Sequence, residues 1–340
     1  MTPVLATHPL SFEAEDKEAR GLVKNLHSPR PAVYWLDLLS TSALGWIAFV
    51  IAARSPFSGR MLLCAALAVF ALYRGLCFLH EITHFNKRSL RGFETVWNAL
   101  IGFPLLMPSF VYVGVHQAHH SLGSYGTSDD PEYLPFAQSS RMTVIFALES
   151  ILIPAALAAR FLILSPIGLM VPRFQRWLAV HASALTMNFS YKREVTPGLL
   201  KRIRLGSVFI LMLWLTAAVL LPLRVFALWF GVVGGASFIN TLRTLAAHRY
   251  EAVGKPLDRS EQLRDSIDVP GSFWTELWAP VGLRYHALHH YFPGLPYHNL
   301  GEAHRRLVNA LPAGSLYRAS VSPGLLASLT ALIASKRQVR

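Results

Sequence analysis

Three short strings decide how this chain folds: His80-Glu81-Ile82-Thr83-His84, His116-Gln117-Ala118-His119-His120 and His286-Ala287-Leu288-His289-His290. Residues three and four apart share one face of a helix, so each string aims its imidazoles in one direction. Neutral imidazole is the commonest side-chain ligand for zinc, copper and iron. The strings supply eight imidazoles, more than a tetrahedral zinc requires. That many nitrogen donors suits two metal ions. A lone histidine is usually a core or surface residue, and His8, His27 and His181 are read that way.

Composition sets these strings in a membrane. Of 340 residues, 53% are hydrophobic and 15% charged, against about 25% charged in soluble domains. Mean hydropathy is +0.37. The formal charge of +13 could suit a nucleic-acid binder, but the long apolar runs argue for no nucleic acid. In a membrane protein such an excess marks the cytoplasmic face and its anionic lipids. Cys64 and Cys77 both lie in apolar segments and imply no disulfide framework. The acidic N-terminus (Glu13, Glu15, Asp16, Glu18) does not read as a signal peptide.

Apolar stretches cover 33–53, 61–79, 95–115, 143–171, 205–221 and 223–242. About 20 apolar residues span a bilayer. The first two stretches pair across Arg54–Arg60, and the last two turn at Leu221-Pro222. These four are the expected transmembrane helices. Ligands of one site must share one side of the membrane. His84 and His116 flank stretch 95–115, which carries Gly102, Pro104 and Pro108, so a re-entrant or interfacial segment is expected there. By the same parity, 143–171, with Pro154, Arg160 and Pro166, is expected to be amphipathic and only partly inserted.

The fold expected is therefore all-α: an integral membrane bundle of about four transmembrane helices, with re-entrant or interfacial helices and a cytoplasmic helical cap. Of 32 Lys and Arg, only Arg54, Arg60 and Arg224 fall in the two far-side loops. This pattern puts both termini and all histidine strings in the cytoplasm. Arg74, inside the second span, must snorkel or face the bundle interior. Residues 1–32 read as a cytoplasmic N-terminal segment, 33–310 as the membrane domain and 311–340 as an interfacial tail. The tail's apolar run, Leu325 to Ile333, is too short to span.

The order HxxxH, HxxHH, HxxHH, with the last string after two further spans, resembles the membrane fatty acid desaturase superfamily. Asp130-Pro131-Glu132-Tyr133 and His298-Asn299-Leu300 are similar to strings in its bacterial members. The resemblance runs from about residue 33 to 310. It implies two non-haem iron ions, molecular oxygen as co-substrate, a lipid acyl substrate and an external electron donor: a ferredoxin, rubredoxin, cytochrome or reductase. It also implies a bacterial inner-membrane location. A ninth histidine, at the inner end of the fourth span, is implied as well, and His248 occupies that position. The implied metal set is thus His80, His84, His116, His119, His120, His248, His286, His289 and His290. Acyl-coenzyme A relatives carry an Asn one turn before that ninth histidine. Here the position is Thr244, with Asn240 a turn further back.

Metal-bound imidazoles usually give their second N–H to a carboxylate or carbonyl. Asp129, Asp130, Glu132, Asp265 and Asp268 are the candidates near the strings. Asn299 through Glu302 reads as a helix start, with His304 beyond it on the same helix. Breaking an unactivated C–H bond is beyond acid–base side chains, so a redox metal must carry it. Desaturation of a lipid acyl chain is the reaction expected. The alternative is a histidine-box hydroxylase of the alkane, sterol or carotenoid type. A remote alternative is an intramembrane zinc protease, because His80-Glu81-Ile82-Thr83-His84 also fits H-E-x-x-H with Glu81 as base. That reading leaves the other strings unexplained. Glu81 follows His80 by one residue, so on a helix it is turned roughly 100° away and need not face the metals.

Overall fold

The computed structural model describes residues 11–86, 88–182, 187–252 and 254–334, so His8 and the Lys336-Arg337 pair lie outside the described residues. Among the described residues every regular element is helical. In chain order they are α1 (Phe12–Val23), α2 (Pro31–Arg54), α3 (Gly59–His84), α4 (Phe93–Trp97, continued by a π-turn at Asn98–Gly102) and α5 (Val115–His119). Then come α6 (Ser140–Met170), α7 (Pro172–His181), α8 (Pro197–Leu220), α9 (Leu223–Ala247) and α10 (Arg259–Asp265). Short helices follow: α11 (Thr275–Trp278), α12 (His286–Tyr291), α13 (Tyr297–Ala310), α14 (Leu316–Ala319) and α15 (Leu325–Ala334).

Local chemistry explains the ends of the long helices. Proline opens α2 and α8, where a missing N–H costs nothing. Ser58 and Thr196 cap α3 and α8 by accepting from the amides of Met61 and Leu199. Helices α2, α3, α6, α8 and α9 are each long and apolar enough to cross a membrane. They leave large apolar side chains bare, among them Leu36 (70% exposed), Leu63 (71%), Val219 (84%) and Leu223 (82%). A water-facing surface does not tolerate a belt of that size, whereas lipid does. The chain has the build of an integral membrane protein.

Helices α2 and α3 form a close hairpin. A Cβ at Gly45 would stand 2.6 Å from the Leu72 side chain, so glycine is what allows the approach. Arg74 of α3 faces inward. Its guanidinium donates to Asp37 (2.8 and 2.5 Å) and to Glu276 (3.0 Å), and the Tyr297 hydroxyl donates to Asp37 (2.9 Å).

Stretch 95–115 is broken, as its glycine and prolines require. The π-turn ends at Gly102, Leu106 adopts a left-handed φ of 59°, and a single 3-10 turn spans Ser109–Val111. Carbonyls freed by the break are met by indole N–H groups. Trp46 donates to Leu100, Trp214 to Phe103 and Trp229 to Pro104, at 2.8, 3.3 and 3.0 Å. The side-chain oxygen of Asn98 accepts from the Ser109 amide (2.8 Å), and its NH2 donates to the Ser109 hydroxyl (2.8 Å). Non-helical backbone at membrane depth survives only with such partners.

Helix α6 is longer than the sequence implied. Pro154 and Pro166 do not end it; a π-turn at Ala159–Leu164 absorbs the irregularity. It adds a fifth helix of spanning length to the four expected. Just before its start, Phe136 packs against Phe146 and edge-on to Tyr250. At the π-turn, Arg160 donates to the Ala182 carbonyl (2.6 Å). The amide of Arg193 donates to the Val180 carbonyl, and its side chain holds the Phe110 and Val113 carbonyls just before α5.

The cap assembles α1 and α10 to α14. Glu15 of α1 accepts from the amides of Leu316 and Tyr317 (both 2.9 Å), so the N-terminal helix caps α14. Helix α13 begins at Tyr297 after Pro296, so Asn299 stands inside its first turn instead of starting it. The Asn299 side chain donates to the Leu26 carbonyl (2.6 Å). Helix α15 lays Leu332, 4% exposed, into an aromatic cluster with Tyr125, Tyr133, Phe136 and Tyr250.

Arg74→Met would leave Asp37 without its cation in a largely buried site. The expected loss is about 2–4 kcal/mol of stability, read as a lower unfolding temperature in detergent. Adding Asp37→Asn to that variant should recover part of the loss.

Candidate metal centre

Each histidine string sits within or at the end of a helix. His80 and His84 occupy the last turns of α3. Helix α5 is a short helix launched from Gly114 at φ 92°, a conformation glycine adopts without strain. It carries His116 and His119, with His120 at its C-cap. Helix α12 carries His286, His289 and His290, and the Leu288 amide donates to Asp268 (3.0 Å), fixing its rotation. His248 follows α9 in extended conformation and bridges to Ser266.

These elements bring the nine histidines together in two groups. One contains His80, His84, His116, His120 and His289; the other contains His119, His248, His286 and His290. Within each group one ring nitrogen per residue lies within 4.8 Å of all the others. Nε2 atoms converge: His116 to His120 at 3.1 Å, His120 to His289 at 3.1 Å, His286 to His290 at 3.1 Å and His248 to His286 at 2.8 Å. His120 and His290 stack at 4.2 Å between centroids and join the two groups.

Several Nδ1 atoms turn outward to acceptors. His119 Nδ1 lies 2.9 Å from Asp130, which is fully buried. His116 Nδ1 lies 2.9 Å from Glu132 and 3.0 Å from the Tyr112 hydroxyl. His248 Nδ1 lies 3.3 Å from Asp265 and 2.8 Å from the Tyr125 hydroxyl. Asp265 also accepts from Tyr125 and Tyr133 (2.9 and 3.0 Å). An Nδ1–H held outward leaves the Nε2 lone pair aimed at the interior.

Electrostatics agrees with a set of neutral donors. Burial, then the neighbouring rings, hold His116, His120, His286, His289 and His290 well below the ordinary histidine range. Burial also lowers His248, against the pull of Asp265. Burial works on His119 in the same sense, but Asp130 outweighs it and raises that ring. Burial pushes Glu132 up to about 7, against the charge of His119.

A metal pair fits these residues. Both ring nitrogens of His80 and Nε2 of His84 are buried with no hydrogen-bond partner among the described residues. A buried polar atom without a partner costs about 1–3 kcal/mol, a cost that metal coordination removes. Imidazole nitrogen suits iron as well as zinc and copper.

Other residues named from sequence stand elsewhere. Asp129 is exposed and its amide binds Thr127. Asp268 holds the backbone of α12 and not a ring of the cluster. His304 bonds the Tyr317 hydroxyl (2.7 Å) outside the cluster. Asn240 and Thr244 both accept from Arg243. His181 is exposed against Trp177. Glu81 spends its hydrogen bonds away from the rings: it accepts from the Tyr34 hydroxyl (2.5 Å) and from the Tyr297 amide (3.2 Å), while its other oxygen stands 3.9 Å from His80 Nδ1. Tyr112 stands four residues before His116, a helical spacing that could have pointed to it, whereas nothing in sequence ties Tyr125 to His248 far along the chain.

Residues 56–321 match the fatty acid desaturase family. The chain belongs to that family. It is also 39% identical over 330 residues to a ceramide hydroxylase of Caulobacter vibrioides, covering 95% of this chain and 94% of that protein. Both likenesses make it a membrane oxidoreductase of the di-iron desaturase and hydroxylase class. The protease reading of His80–His84 falls with this assignment, and the orientation of Glu81 gives it no support.

Asp130→Asn should lower metal affinity about 10- to 100-fold, measured by retention against a chelator. Asp129→Asn should leave it unchanged. Acidification should destabilise the metal-free protein. Histidines with depressed pKa bind fewer protons folded than unfolded, so stability is lost as pH falls below about 6.5, by up to roughly 1.4 kcal/mol per pH unit for each such ring. His119 and Glu132, both raised, work in the opposite sense but are outnumbered. Denaturant titrations at several pH values check the slope.

Proposed function

We propose that the nine histidines hold two iron ions and that the enzyme hydroxylates a ceramide-type lipid. The single observation that carries the reaction type is the 39% identity, over nearly the whole of both chains, to a ceramide hydroxylase. The sequence strings alone favour desaturation of an acyl chain, and the two reactions diverge only after the first hydrogen is taken. In hydroxylation a C–H bond and one O2, with two electrons and two protons supplied from outside, become C–OH and one water. The electrons come from a separate ferredoxin, rubredoxin, cytochrome or reductase.

His80, His84, His116, His120 and His289 would hold one ion, and His119, His248, His286 and His290 the other. The iron pair would supply the oxygen activation that acid–base side chains lack. The protein's own residues supply orientation and dryness. Asp130, Glu132 and Asp265 hold outer ring nitrogens, so the inner lone pairs of His119, His116 and His248 converge. Phe136, Tyr125, Tyr133 and Tyr250 close the back of the pair against water, with α15 laid over them. The excess of Lys and Arg away from the 54–60 and 221–224 loops supports a cytoplasmic centre in a bacterial inner membrane.

Two experiments test this reading. Metal analysis of anaerobically purified protein should give two irons per chain; His84→Ala and His286→Ala should each lose iron. A single zinc would overturn the assignment. Lipid mass spectrometry of cells with and without the protein should show a ceramide one oxygen heavier than its parent. A product only two hydrogens lighter would return the reaction to desaturation with the centre intact.

A further inference from the structure

Arg243 is a cation in an unusual place. It lies in the membrane-length helix α9, five residues before His248, a rise of roughly 7.5 Å along the helix. It is half-buried, and it forms no ion pair among the described residues. Among the described residues its hydrogen bonds go to its own helix: Nε to Asn240 Oδ1 (3.3 Å) and Nη2 to Thr244 Oγ1 (2.7 Å). Arg74, on helix α3, is by contrast paired with Asp37 and Glu276. A charge left unpaired near a membrane interior is costly and marks a functional position.

Helix α9 leads directly into His248, so Arg243, half-buried, lies on the element that delivers a histidine to the cluster. Asn240, bonded to Arg243 one turn earlier, is exposed on the outer face of α9. Arg243 therefore stands between the cluster and a face open to lipid. A guanidinium carries five N–H donors in a fixed fork. Asn240 and Thr244 cannot saturate it.

We infer that Arg243 binds the polar head of the lipid substrate, taking the amide carbonyl or a neighbouring hydroxyl oxygen of a ceramide as its acceptor. The assignment rests on the hydroxylase reading above for its substrate class. It adds a consequence for position. A head held about one and a half helical turns from the cluster leaves only a short reach to the metals. The carbon oxidised then lies a few bonds from the amide and not in mid-chain. A mid-chain oxidation would need the head to sit much farther from the cluster than Arg243 does.

Binding separates this idea from loss of the metal centre. Iron-loaded enzyme in lipid nanodiscs, held without oxygen, is titrated with ceramide and with a hydrocarbon of equal length lacking the head. Intrinsic tryptophan fluorescence reports occupancy. Arg243→Gln should weaken ceramide binding about 10- to 100-fold, the range for a hydrogen bond to a charged group, and leave the hydrocarbon unchanged. Arg243→Lys keeps the charge but loses the fork and should fall between. Iron content should not change in either variant. Tandem mass spectrometry of aerobic product from the wild type should find the new hydroxyl within a few carbons of the amide, and R243Q should spread it.

Wild-type affinity for ceramide no greater than for the hydrocarbon would overturn the inference. So would R243Q binding ceramide as tightly as the wild type, or a wild-type product oxidised in mid-chain. Should R243Q fail to fold, R243K decides, and unchanged affinity in that variant is equally fatal. A product two hydrogens lighter, with the binding contrast intact, would remove the hydroxylase reading and keep Arg243 as the head anchor.

Discussion

Everything in this molecule depends on converging nine imidazoles in one largely buried cluster. A ring nitrogen aimed inward without water or a partner is costly, so each ring must be held against swinging away. The fold supplies that hold from outside the cluster. Asp130 and Asp265, both nearly inaccessible, bind His119 and His248 on their outer nitrogens, and Glu132 with Tyr112 does the same for His116. Asp268 reaches the same end indirectly, through the Leu288 amide of α12. Burying acidic groups here is tolerable because each has donors close by.

The same requirement shapes the backbone far from the cluster. Ligands carried on α3, α5, α12 and the end of α9 must meet at one depth. The chain between α3 and α5 cannot cross the bilayer and must turn within it. That turn exposes carbonyls, and Trp46, Trp214 and Trp229 from three spanning helices donate to them. These tryptophans are bound to the cluster's geometry although they lie well away from it: without donors at those carbonyls, the re-entrant path would be too expensive to keep.

The parts of this design legible in sequence were those with short-range periodicity. Spacings of three and four residues announced the eight string histidines, and parity of crossings announced the broken stretch before His116. His248 lacks a neighbouring histidine, and resemblance to relatives was what pointed to it. The carboxylates could be narrowed only to five, because which of them meets a ring is set by packing between α5, α9 and α10. Helix α6 hid its length because Pro154 and Pro166 read as ends, whereas the π-turn carries the helix past them. The partner of Arg74 was invisible for a similar reason: Glu276 is distant in sequence and in a four-residue helix with no pattern of its own.

The outcome of oxidation is not written in the histidines. Two reactions that begin with the same hydrogen abstraction need the same oxidising centre, so the ligand strings are compatible with both. What separates them is where the second target sits after the first bond breaks. That is a matter of how rigidly the lipid is held and how far from the centre its head is fixed. Residues that decide it belong to the lining between the cluster and the membrane, not to the strings. At position 244, where acyl-coenzyme A relatives carry an Asn that reaches the metal through water, this chain carries Thr244, whose hydroxyl accepts from Arg243. A change beside the centre at that position leaves the nine proposed histidine ligands whole. Divergence between desaturases and hydroxylases can proceed by such steps, because the oxidising centre never has to be rebuilt.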